Sequence, residues 1–227
     1  MTCDFVIQLS RLRRLSAESV ENTDCFDPFK EYLHVVRPVE VELRKLLRDA
    51  NVNQNKCLVL LCGSAGDGKS HLISYLKNSD PERLLEDYEP YNDATESSEP
   101  TLTSIDTLYE KLASFNDDNY LLNDEKKMIV AINLGTLNNF IESDKGRKFS
   151  KLKEYVENNG IFSGYGHGSG YIKNSVFQHV SFSDYQVFSL GESGVETTFL
   201  ESLLEKIFRK SDNNPFYKAS ICAPHVL

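Results

Sequence analysis

The chain has 227 residues and a formal net charge of −9, with 40% hydrophobic, 11% aromatic and 26% charged residues. That profile belongs to a foldable globular chain and excludes a disordered polymer, a collagen-like repeat and a disulfide-dense miniprotein. No apolar run reaches the roughly 18 residues of a membrane helix, so no membrane association is expected, and the acidic balance leaves nucleic-acid contact to a local basic patch or a basic partner.

The N-terminus, MTCDFVIQLSRLRR, has acid and amide residues inside its short apolar stretch and reads as mature sequence, not a signal peptide. DPFKEYLHVV reads as a helix opened by Asp27 and Pro28, and VEVELRKLLRDA as another with Val39, Leu43, Leu46 and Leu47 on one face. Residues 1–50 are thus expected to form a helical extension. CLVLLC is a short continuous apolar run with glycines behind it, the pattern of a buried parallel strand. GSAGDGKS follows, then a helix over SHLISYLKN. An acidic, turn-rich stretch holds a short extended piece around Tyr91, Asn92 and Asp93, and Pro100-Thr101 opens the next helix. MIVAINL is a second buried strand, and residues 136–158 are helical in pieces broken at Gly146. GIFSGYGHGSG is a glycine-rich loop. VFQHVSF alternates like a strand that FSDYQVFSL extends, TTFLESLLEKIFRK is an amphipathic helix, and NPFYKASICAPHVL reads as irregular. Strands alternating with helices predict an α/β fold, a parallel sheet flanked by helices over 51–227.

GSAGDGKS, residues Gly63, Ser64, Ala65, Gly66, Asp67, Gly68, Lys69 and Ser70, matches the P-loop pattern G-x-x-x-x-G-K-[ST]. Glycines let the backbone approach phosphates closely, and successive amides with the following helix N-terminus make an anion nest. Lys69 is placed to reach the β- and γ-phosphates, and Ser70 to supply a hydroxyl to Mg²⁺. A P-loop NTPase core binding ATP and Mg²⁺ is the expectation for 51–227. A hydrolysing enzyme also needs an acid at a strand end, and the strand MIVAIN ends in Asn133. Asn133 can position a water or sense a γ-phosphate, or it is a strand-end turn former. Asp93, with Glu96, and Asp184 are the candidate catalytic acids; the alternative for each is a solvated loop carboxylate.

Lys145, Arg147, Lys148, Lys151 and Lys153 form a basic cluster, either a nucleic-acid contact or a solvated helix face, and Arg11, Arg13 and Arg14 form a smaller one. The five cysteines, Cys3, Cys25, Cys57, Cys62 and Cys222, are odd in number and lack CxxC spacing, the pattern of a reduced, cytoplasmic chain. Two other function classes fit a phosphate loop. A nucleoside-type kinase needs an acceptor pocket and an arginine-rich lid, and no such lid segment follows the core strands. A non-hydrolysing scaffold keeps nucleotide as structural glue and is favoured by the missing strand-end acid.

Several segments together, DPFKEYLHVVRPVE, GSAGDGKSHLISYL, YNDATES, IVAINLGTLNNFIE, FSDY and NPFYKA, resemble the DptF component of the bacterial phosphorothioation-dependent DNA restriction system. The resemblance spans about Phe29 to Ala219. It implies an ATPase that works with other subunits of a defence complex against DNA lacking the host's sulfur modification, meeting DNA through that complex. It carries over Gly63, Gly66, Gly68, Lys69 and Ser70 as phosphate and Mg²⁺ ligands. It also implies a core that continues further, so that 51–227 reads as incomplete at its C-terminal end and hydrolysis is expected of the complex.

Overall fold

A computed structural model describes residues 4–18, 28–92, 103–122, 124–163, 170–192 and 194–222. They fall into two compact units, Pro38–Tyr185 and the pair of flanks Met1–Arg37 with Gln186–Leu227. The boundary expected at residue 50 differs from this division because of helix α3 (Pro38–Asn53). Its Val39, Leu43, Leu46, Leu47 and Ala50 are buried in the apolar cluster on one face of the sheet.

The Pro38–Tyr185 unit is built on β1 (Cys57–Cys62), β2 (Tyr88–Tyr91), β3 (Lys127–Ile132) and β4 (Phe177–Ser181), all parallel, in the order β2-β3-β1-β4. β1 is the inner strand between β3 and β4, and all six of its residues are buried. Its pleat divides them. Leu58, Leu60 and Cys62 join Leu108, Phe140 and Leu152 from α5 (Ser104–Lys111), α6 (Leu134–Glu142) and α7 (Ser150–Asn158). Cys57, Val59 and Leu61 join α3 and the Leu72, Ile73 and Leu76 of α4 (Lys69–Asn78) on the other face. A strand covered on both sides favours apolar residues on both faces, which is why CLVLLC shows no alternation. Burial of each such leucine contributes about 1.5–3 kcal/mol.

Several buried polar groups are tied down. Gln178 on β4 receives the Ile172 N–H at 2.9 Å and donates to the carbonyls of Ile172 and Ser175. Arg44 of α3 bonds Glu40 at 2.9 Å and Asp80 at 2.6 Å, joining α3 to the segment after α4. The His179 imidazole hydrogen-bonds the Tyr155 hydroxyl at 2.8 Å, and burial pushes its pKa below the ordinary value of 6.5, so at neutral pH it is uncharged.

The other unit holds α1 (Asp4–Glu18), α2 (Pro28–Leu33), an antiparallel pair β5 (Ser189–Gly191) and β6 (Gly194–Glu196), α8 (Thr198–Phe208) and α9 (Pro215–Cys222). Phe29 packs on Phe216 with ring centroids 5.3 Å apart, and Arg11 lies over the Phe29 ring. Two expectations are corrected here. FSDYQVFSL does not extend β4: Ser181 Oγ accepts from Ser183 N–H, a 3₁₀ turn runs over Phe182–Asp184, and Ser189–Gly191 pairs with β6 instead. NPFYKASIC is not irregular but helix α9. Asn214 Oδ1 accepts from the Phe216 and Tyr217 amides, Pro215 takes the first helical position, and Asn214 Nδ2 donates to the last carbonyls of α8. Among the described residues no helix is long and apolar enough to cross a membrane.

Candidate functional site

Residues 63–70 leave the carboxyl end of β1 and enter α4, the edge at which open α/β sheets bind ligands. The register sets Cys62 between Ile132 of β3 and Ser181 of β4. The next residue on each strand, Gly63, Asn133 and Phe182, therefore shares that edge. Gly63 is pinned by its N–H to Ile132 O at 3.3 Å. Gly66 (φ 86°) and Gly68 (φ 92°) adopt left-handed backbone that side chains disfavour, and the chain curls around them. Asp67 N–H reaches back to Ser64 O at 3.3 Å, and Leu72 N–H begins the α4 ladder on Gly68 O at 3.0 Å.

The loop is bent, as the motif predicts. Gly68 caps α4 without a side-chain hydrogen bond. Among the described residues, nothing accepts from the amides of Gly66, Gly68 or Ser70, and Ser70 Oγ has no partner. Unsatisfied first-turn amides carry the positive end of the helix dipole. Lys69 Nζ donates to Gly63 O at 3.0 Å and Ser64 O at 2.7 Å, so its ammonium is folded across the loop. Open amides, an ammonium and an uncommitted hydroxyl at one strand end fit a phosphate chain. A Mg²⁺ ion carried with phosphates needs only one or two protein oxygens, and Ser70 Oγ can be one. Among the described residues no group of three His, Cys, Asp or Glu is arranged to hold a metal by itself.

Asn133 stands at the end of β3 and caps α6, its Oδ1 accepting from Thr136 N–H at 2.6 Å. Both readings of this residue therefore bear on one geometry, because the cap fixes the amide while Nδ2 has no acceptor among the described residues. Asp184 is exposed at the end of the 3₁₀ turn after β4. It shares the edge with Lys69: burial pushes the Cys62 thiol up to about 12, and the charges of Lys69 and Asp184 act on it in opposite directions. Asp93 and Glu96 lie outside the described residues, as do residues 164–169 of the glycine-rich loop and Asp27, Pro100 and Thr101.

The basic cluster is largely neutralised. Lys145 pairs with Asp106 at 2.6 Å, Arg147 with Asp144 at 3.0 Å, Lys151 with Glu154 at 3.0 Å and Lys153 with Glu142 at 2.8 Å. Lys148 donates to the Tyr109 hydroxyl at 3.3 Å. Four cations with an acid each do not form the bare positive surface that phosphate backbones attract. Sequence reasoning missed Phe182, whose Cβ would crowd any side chain at position 63, and the role of the Asp67 carboxylate, which accepts from Ser64 N–H at 2.5 Å. Neither carries a motif signal of its own. No known protein family, curated protein or solved structure matches this chain.

Proposed function

We propose that the chain is a P-loop nucleotide-binding protein that takes ATP with Mg²⁺ in the loop Gly63–Ser70, as the ATP-binding subunit of a DNA restriction complex of the phosphorothioation-dependent kind. The observation that carries the binding step is the bent loop with open amides at Gly66, Gly68 and Ser70 and the Lys69 ammonium across it. The restriction role rests on the segments that resemble the DptF component. In this reading the loop amides hold the phosphate chain, Lys69 exchanges backbone carbonyls for phosphate oxygens, Asn133 offers Nδ2 to the terminal phosphate, and Asp184 orders water at the same edge. Mg²⁺ would supply charge neutralisation on the phosphates. Partner subunits carry the DNA contact, consistent with the paired basic cluster.

A non-hydrolysing scaffold is the second reading, because the strand ends flanking the loop carry Asn133 and Phe182, not acids. Phosphate release from ATP, measured alone, with DNA, with a nucleoside and with candidate partner subunits, separates the classes. The restriction reading expects turnover that rises with DNA and partners. Tight binding without release under every condition supports the scaffold, and a phosphorylated nucleoside product overturns both.

A further inference from the structure

Gly63 C=O and Ser64 N–H belong to one peptide unit, and that unit is gripped from both ends. Lys69 Nζ donates to the Gly63 oxygen at 3.0 Å, and Asp67 Oδ2 accepts from the Ser64 nitrogen at 2.5 Å. We infer that Asp67 is a positioning residue for nucleotide binding: its carboxylate locks the 63–64 peptide so that the amides after it stay turned toward the ligand. The inference rests on the nucleotide-binding reading and deepens it.

Two features make the lock a property of this loop and not an incidental surface contact. The left-handed glycines on either side of Asp67 fold its side chain back over Gly63. A Cβ on residue 63 would stand 2.7 Å from Asp67 Oδ2 and 3.0 Å from Phe182 Cβ, so the carboxylate and the turn after β4 together occupy the space that glycine leaves. When phosphate draws Lys69 off the Gly63 carbonyl, Asp67 remains the group that holds this peptide. Without it the Ser64 amide loses its acceptor and the peptide can rotate, and part of the binding free energy then goes into re-ordering the loop.

Asp67→Asn keeps an oxygen that can accept from Ser64 N–H, whereas Asp67→Ala removes it. Titration of the full chain with a fluorescent adenine nucleotide and Mg²⁺ is expected to give Asp67→Asn near wild type and Asp67→Ala about tenfold weaker, the cost of one hydrogen bond. Amide hydrogen exchange at Ser64 without nucleotide is an independent readout: protected in wild type and Asp67→Asn, released in Asp67→Ala. Equal affinity and equal Ser64 protection in all three would overturn the inference while leaving the binding reading intact, as would an Asp67→Asn variant as weak as Asp67→Ala. Wild type that protects Ser64 but has no nucleotide affinity would overturn the binding reading, and the positioning role with it.

Discussion

Lys69→Ala is expected to weaken binding of Mg²⁺·ATP on the order of a hundredfold, because it removes a cation that makes charge-assisted hydrogen bonds to phosphate, each about 1.5–3 kcal/mol. The fold should survive. Lys69 is partly exposed, and its bonds to the carbonyls of Gly63 and Ser64 include one to a residue in solvent. Each partly exposed hydrogen bond of this kind is worth about 1 kcal/mol or less, so the nucleotide-free variant should unfold within several degrees of wild type. Calorimetric titration beside a thermal scan reads both quantities. Unchanged affinity in a folded variant would mean that the ammonium is not a ligand.

A large stability effect is expected of Arg44. Its guanidinium, 15% exposed, holds Glu40 and Asp80, whose side chains are 2% and 0% exposed. Burial alone would raise the Asp80 pKa, but Arg44 and the amides of Leu84 and Glu82 outweigh it and hold the carboxyl below its ordinary range. Arg44→Ala leaves two buried carboxylates without their cation, a loss of about 3–5 kcal/mol and a fall in Tm of roughly 10 °C. Arg48→Ala is the control. Arg48 bonds Glu82 through two hydrogen bonds of 2.7 Å but is 50% exposed, and such pairs are worth about 1 kcal/mol or less. Equal Tm shifts for the two variants would show that burial does not govern this network. The sign with pH follows from the lowered Asp80 pKa: its contribution is complete at neutral pH and is lost as pH falls through the lowered value.

The apolar runs CLVLLC and MIVAI declared buried strands because a sheet with helices on both faces leaves few polar positions in its inner strands. The phosphate loop was legible because its glycines, lysine and serine are dictated one by one by anion chemistry. The cap of α9 was equally present in Asn214-Pro215, but the aromatic and small residues after it hid the helical period. The exit from β4 was not legible, since Phe182, Ser183 and Asp184 could continue a strand, whereas the Ser181 hydroxyl and the Tyr185 N–H to Phe182 O bond close a 3₁₀ turn there. Side-chain braces such as Asp67 to Ser64 depend on where a turn folds a carboxylate, which spacing does not encode. For the basic cluster, the i,i+3 pairs of Arg147 with Asp144 and of Lys151 with Glu154 were within reach of the sequence, whereas the Lys145 partner Asp106 comes from another helix.

In the proposed function the loop between β1 and α4 closes around a phosphate chain. Its most direct test is an NMR titration of the isotope-labelled chain with Mg²⁺·ATP. Saturable shifts centred on the amides of Gly66, Gly68, Lys69 and Ser70, which in Lys69→Ala need about a hundredfold more ATP, are the expected result. A spectrum that stays unchanged at these amides as ATP is added, or that changes only elsewhere, would contradict it.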